Sequence, residues 1–279
     1  MTKAQTENIL KLTGFLMATA LVTGFLYISG WARLVFILVN LIALITTTSY
    51  AHRSATHGAV EYGPKTYWGL RLGFWITTGQ YIYEWVGVHR WHHSDTEGKK
   101  DPHSPANEGI WQIQILNFLY YVRAARQSEK MEKFARDIKE KEDTWDRVLF
   151  CRGWLGLLVG IVVLCLLLGP VQGLIVSAMH ATLYVFFQTS SVNGLCHFAH
   201  WGAYQSNPVL EYARTVWNDW IIGLFTGGEG WHYNHHVEQK SARLSRRRSE
   251  PDLGWYFILV AEYLGGATNV ERPKLLLAA

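Results

Sequence analysis

Cysteine is scarce in this chain: Cys151, Cys165 and Cys196 make an odd, dispersed set with no Cys-x-x-Cys pair among 279 residues. A disulfide framework and the common structural zinc sites are thereby excluded. No internal repeat, low-complexity tract or nucleic-acid motif is present. Charge is almost absent from the long apolar runs, which removes the carboxylate-lined path that a metal transporter would need. The net charge of +4 fits Lys and Arg held near an anionic lipid surface rather than a nucleic-acid footprint.

What is present begins with those runs. ILKLTGFLMATALVTGFLYI turns through Ser29, Gly30 and Trp31 into LVFILVNLIALITTTSY, which reaches His52. A second pair begins near Leu149, turns at Gly169 and Pro170, and continues as VQGLIVSAMHATLYVFFQTSSV to Asn193. Each run approaches the roughly 20 residues that a helix needs to cross a hydrocarbon core. The first flows straight into the second, unlike a cleaved signal peptide. The expected fold is an all-α integral membrane protein of one domain, 1–279. Four transmembrane helices, about 9–28, 34–51, 149–169 and 171–194, form two hairpins under a helical cap of residues 52–148 and 195–279. Mean hydropathy near zero (+0.02) averages very apolar spans with this polar cap. Lys and Arg crowd the segments 52–152 and 194–279 and are missing from the turn 169–172. By the positive-inside tendency the cap and both termini are therefore expected in the cytoplasm.

Histidine is in excess. Nine of the twelve fall in four groups: His52 and His57; His89, His92 and His93; His197; and His232, His235 and His236. All four lie on the cap side of the spans. The spacings are HxxxxH in HRSATH and HxxHH in both HRWHH and HYNHH. That is more imidazole than one ion accepts, so two metal ions are implied, and imidazole suits iron, copper, nickel and zinc. On a helix, residues three and four apart share a face, so each HxxHH box is expected to point into one site. His52 and His57 are five apart, about 140° around an α-helix. They are expected to bind different metals or to need the helix to unwind at Ser54. Asn193 and His197, four apart, face the same way, so Asn193 either reaches a metal, directly or through water, or caps a helix end. His103, His200 and His180 fall outside the ligand set, His180 being read as a neutral imidazole bonded to a neighbouring helix. Glu84, Asp95, Asp101, Glu229 and Glu238 lie near the boxes, and one or more is expected to accept a ligand N–H. The run EKMEKFARDIKEKEDTWDR reads as a solvated or interfacial helix.

The order HxxxxH, HxxHH, NxxxH, HxxHH, interleaved with two membrane hairpins, resembles the membrane fatty acyl desaturases related to stearoyl-CoA desaturases. The strings AHRSATH, WITTG, EWVGVHRWHH, DPHSP, GGEGWHYNHH and SARLS are most similar to bacterial delta-9 type enzymes. The resemblance runs from His52 to about Pro273. It implies two irons held by His52, His57, His89, His92, His93, His197, His232, His235 and His236, with Asn193 holding one through water. It also implies an acyl tunnel bent past Trp85 and Thr189, with Gln80 one residue out of register with another tunnel position. The implied reaction is dioxygen-dependent introduction of a cis double bond, in the cytoplasmic membrane of a bacterium.

Acyl-CoA branches of that family carry Arg and Asp before the second box, where this chain has Gly87 and Val88; Gly58, Ala59 and Val60 also depart from the family's Arg and aromatic residue. Recognition of CoA is thereby put in question, and the head group stays open between CoA, a phospholipid ester, a carrier protein and the free acid. No fused haem domain is expected. Electrons are expected from a separate ferredoxin-like carrier docking near Arg243 to Arg248 through opposite charge. Other readings are a hydroxylase or alkene-forming decarboxylase on the same scaffold, a haem carrier, and a non-catalytic metal-binding protein.

Overall fold

The computed structural model describes residues 2–205, 213 and 215–274. α1 (Lys3–Tyr27) opens on a capping box between Thr2 and Gln5, which carries the helix back ahead of the apolar run. Ser29 caps α2 (Gly30–Ile45), its hydroxyl accepting from the Ala32 amide at 3.2 Å. Arg33, the cation at this turn, donates to the carbonyls of Phe25 (2.8 Å) and Leu26 (2.9 Å), and so closes the end of α1. α2 runs on without a break as a π-helix, Thr46–Thr56.

A short strand β1 (Glu61–Tyr62), paired antiparallel with β2 (Ala267–Thr268), leads into α3 (Pro64–Thr78) and α4 (Ile82–Ser94). Then come α5 (Pro105–Glu108), α6 (Ile110–Ala125) and α7 (Ser128–Glu140). α7 is the mixed-charge helix, and it packs Met131 and Ala135 against α4. α8 (Gly153–Leu168) and α9 (Pro170–Thr182) meet at Gly169, whose φ of +79° admits the sharp turn before Pro170. α9 continues through a π-helical stretch, Leu183–Thr189, into α10 (Ser190–Gly194) and a 3₁₀ turn, Leu195–His197. α11 (Trp220–Phe225), α12 (His232–Val237) and α13 (Leu253–Tyr263) complete the cap.

Three helical stretches are long and apolar enough to cross a membrane: Lys3–Tyr27, Gly30–Thr56 and Pro170–His197. The third expected run forms α8, at 16 residues a shorter apolar helix. The bundle is apolar outside, and its apolar interior also encloses a few polar groups. Phe15 and Leu166 are 68% and 81% exposed, whereas Asn40 and His180 are buried. His180 lies 3.0 Å from Asn40 Oδ1 and 2.8 Å from the Thr77 carbonyl. It thereby joins α2, α3 and α9, as expected of a structural imidazole.

α3 lies against α8 because Gly153, Gly156 and Gly160 remove side chains from the contact. A Cβ at Gly156 would sit 2.3 Å from the Trp75 carbonyl oxygen, and one at Gly160 would sit 2.7 Å from that of Ile76. Small residues let apolar helices approach where no hydrophobic force from water drives them together. Gly156→Val should therefore lower the thermal midpoint in detergent by several degrees, as expected of overpacking that costs about 1–3 kcal/mol. Gly30→Ala, where nothing lies within 4 Å, should leave it unchanged. Equal melting of the two variants would contradict this packing.

Candidate metal centre

The π-helix resolves the HxxxxH spacing. Its hydrogen bonds run from residue i+5 to residue i, as in His57 N–H to the His52 carbonyl at 3.2 Å. Residues five apart then return to the same side. The rings of His52 and His57 come to 5.0 Å between centroids. The expected splaying, or unwinding at Ser54, is replaced by a widened helix over eleven residues. Arg90 clamps its end, donating to the carbonyls of Ala55 (3.1 Å) and Thr56 (3.0 Å) and to Asp137 (2.6 Å).

The two HxxHH boxes do not each serve one site, as the sequence reading expected. On α4 and α12 the i and i+4 residues stay together, while the residue between them turns away, because neighbours on a helix differ by about 100°. Two clusters result. One ring nitrogen from each of His52, His57, His89, His93 and His235 lies within 4.8 Å of the others, and the same holds for His92, His197, His232 and His236. In the first cluster, the Nε2 pairs His52–His235, His89–His93 and His93–His235 are each 3.0 Å apart. In the second, His197–His232 is 2.9 Å and His232–His236 is 3.2 Å.

The arrangement fits a cation. Neighbouring ligands at right angles about a metal with nitrogen bonds near 2.1 Å stand about 3.0 Å apart. Burial and the surrounding imidazoles push His57, His89, His93, His232, His235 and His236 well below the ordinary histidine range, so these rings are neutral. Carboxylates stand at the Nδ1 side of others, and Asp101 is hydrogen-bonded to His92 there. Glu229 lies 2.5 Å from His52 Nδ1, Asp101 2.9 Å from His92 Nδ1, and Glu97 3.2 Å from His197 Nδ1. A ring that gives its Nδ1 proton to a carboxylate presents a lone pair at Nε2. Burial alone would raise Glu229, but His52, Arg53 and Thr48 outweigh it and bring it to about 2. Asp101, also raised by burial, is carried below the usual carboxylate range by His92 and His103.

Of the five carboxylates singled out by proximity, Asp101 and Glu229 meet ligand-box histidines. Asp95 binds the Lys100 amide at 2.7 Å, and Glu238 pairs with Arg246 at 2.8 Å. Glu84 stands half-buried on α4 with its carboxyl pushed up by desolvation. Sequence reasoning missed Glu97. Its signal is conformational: φ is +58°, uncommon for a non-glycine residue, and its carboxylate also accepts from Ser104 at 2.6 Å. His103 stacks on His92 with centroids 4.7 Å apart, and His200 pairs with Asp219 at 3.0 Å.

A mainly apolar cavity of about 380 Å³ adjoins both clusters, its wall including His52, His89 and His232. Gln80, Trp85, Thr189 and Asn193 all line it. Trp85 stacks on His89 at 4.9 Å. Gln80 accepts from the Tyr184 hydroxyl at 3.3 Å, Thr189 donates to the Val185 carbonyl at 3.0 Å, and the Asn193 amide donates to Asn117 at 3.3 Å.

Six histidines held neutral give a definite pH dependence. The unfolded chain takes up protons as pH falls below about 6.5, whereas the folded one does not. The stability they contribute is therefore complete above about pH 6.5 and declines on acidification, and bound metal should leave over the same range. Elemental analysis and thermal unfolding from pH 8 to pH 5 should show both losses, and flat profiles would contradict the neutral clusters. Asp101→Asn and Glu229→Gln should each weaken metal binding about 10–100-fold, as read by competition with a chelator.

Sequence comparison bears on what such a centre serves. A model of the family described as fatty acid desaturase matches residues 12–243. The Delta-9 desaturase-like 5 protein of Arabidopsis thaliana is 32% identical over 87% of this chain and 77% of its own length. The Acyl-CoA C20 Delta5-desaturase of Anemone leveillei is 30% identical over 86% of this chain and 73% of its own. The sn-1 stearoyl-lipid 9-desaturase of Synechocystis is 32% identical over 69% of this chain and 56% of its own. With its paired histidine clusters set against an apolar cavity, this chain belongs to the fatty acid desaturase family.

Proposed function

We propose that this protein is a di-iron desaturase that introduces a cis double bond, at the delta-9 position, into a saturated acyl chain esterified in membrane phospholipid. The observation that carries the reading is the pair of all-imidazole clusters on the wall of one apolar cavity. His52, His57, His89, His93 and His235 would hold one iron. His92, His197, His232 and His236 would hold the other, with Asn193 adding a water-mediated contact. Two irons, dioxygen and two external electrons supply an oxidant strong enough to take two hydrogens from adjacent methylenes, dioxygen leaving as water.

The chain's own residues position the substrate and exclude solvent. Trp85, Gln80 and Thr189 shape the cavity beside the clusters, and a chain threaded past them presents one methylene pair. Asp101 would keep a proton at Nδ1 of His92, and Glu229 and Glu97 stand as carboxylates beside Nδ1 of His52 and His197. The delta-9 assignment draws on the names of the Arabidopsis and Synechocystis relatives. The preference for a lipid ester over CoA is supported at the positions before the second box. Gly87 is pressed against Met131, where a Cβ would lie 2.5 Å from the sulfur, and Val88 is buried on the cavity wall. Neither offers a charge to a CoA phosphate.

In this reading α1, α2, α8 and α9 span the cytoplasmic membrane of a bacterium as two hairpins, with both termini and the cap in the cytoplasm. A ferredoxin-like carrier docks on the cap. The expected docking segment needs correction, because Arg246 is buried and paired with Glu238 at 2.8 Å. Arg247 and Arg248 remain exposed.

In a host lacking its own desaturases, the chain should produce new monounsaturated acyl groups, seen by mass spectrometry of lipids, and His92→Ala should abolish them. A hydroxylated or shortened product would move the assignment to a related oxygenase. Replacing Arg247 and Arg248 by Ser should slow turnover several-fold and flatten its dependence on salt. An unchanged rate and salt dependence would place the carrier elsewhere.

A further inference from the structure

Most polar groups on the cavity wall are accounted for by protein partners. Tyr184 bridges Thr47 at 2.8 Å and Gln80 at 3.3 Å, and Thr78 donates to the Phe74 carbonyl at 2.6 Å. Apart from histidines, two shielded groups on the wall lack a partner among the described residues: the Gln188 side-chain oxygen and the Tyr121 hydroxyl. Of these, the hydroxyl alone can donate. A hydroxyl removed from water with no acceptor is unfavourable, so its partner is expected to arrive with the ligand.

A saturated acyl chain has acceptors at its head and nowhere else. Tyr121 packs against the cluster containing Val88, the residue before His89. One turn back and one residue on along α6, Phe118 and Val122 line the same cavity and are each 39% exposed. The cavity therefore reaches the surface beside Tyr121.

Resting on the desaturase reading, we propose that Tyr121 is a positioning residue whose hydroxyl donates to the head carbonyl oxygen of the bound acyl chain. The contact limits how far the chain enters. It thereby sets which methylene pair lies beside the histidine clusters.

The test compares wild type with Tyr121→Phe as purified, iron-loaded protein supplied with dioxygen and a reduced ferredoxin system as the electron source. Each receives an 18-carbon saturated chain as a phospholipid ester, as a CoA thioester and as an ether-linked lipid without the carbonyl. Tyr121→Phe should raise KM at least fivefold on the carbonyl-bearing chain that is the substrate, and should spread the double bond to neighbouring positions. Metal content should stay the same, and the thermal midpoint should hold or rise because an unpaired hydroxyl is gone. The ester and thioester arms show which head group is used. With the ether chain the two proteins should behave alike, which isolates the carbonyl contact. The same KM and bond position in both proteins would overturn the proposal. So would an equal penalty on the ether chain, or a fall in thermal midpoint showing that the hydroxyl serves the protein itself. If wild type makes no unsaturated chain in any arm, the desaturase reading fails. Thermal shifts caused by ester and ether lipids in the two proteins then still decide the Tyr121 contact.

Discussion

Nine imidazoles drawn together inside a protein bring ring nitrogens within reach of one another in two buried groups, an arrangement that a metal ion in each group would satisfy. Their nitrogens converge at about 3 Å, and carboxylates stand beside Nδ1 of rings in both clusters. Where neighbouring rings both present a lone pair, a metal ion between them would turn repulsion into coordination. Much of the cap can be understood as the frame that holds these rings in place. Arg90 clamps the π-helix against α7, and the neighbouring Arg53 ties it to Asp252 at 2.8 Å. The Asn218 and Asn234 side chains, 2.9 Å apart, tie α12 to the segment before α11.

The apolar helices and the histidine clusters share one helix for a reason. α2 passes from exposed apolar turns, long enough with its π-helical continuation to cross a membrane, to His52 without a break, so the position of the histidine clusters is fixed relative to that apolar helix. Widening to a π-helix occurs at the level of the histidines and again at Leu183–Thr189, ahead of His197. Both widened stretches contribute to the cavity wall, Thr47, Thr48 and His52 from one and Tyr184, Val185, Gln188 and Thr189 from the other. π-helical insertions are often found at functional sites, and here they aim side chains that ordinary helical spacing would splay.

Much of this was legible in the residues. Apolar runs located the long apolar helices within a few residues, except where the Thr2 cap lengthened α1 and where α8 began only at Gly153, too short to count among the three stretches long enough to cross a membrane. The grouped histidines marked the centre because imidazole is rarely concentrated without a metal. How they divide was not legible: HxxHH looks like one face, yet a 100° step between His92 and His93 sends them to different clusters. The π-helix was hidden for a similar reason, since spacing arguments assume 3.6 residues per turn. Glu97 escaped because a loop carboxylate acquires its role from a backbone turn, and Arg246 misled because a run of three arginines does not reveal which one is buried.

X-ray absorption at the iron edge of purified, iron-loaded protein, together with iron counted per chain, tests the central claim most directly. The account predicts two irons per chain with a first shell dominated by nitrogen near 2.1 Å, consistent with imidazole ligation. A single iron, or a shell dominated by carboxylate oxygen or by sulfur, would contradict it.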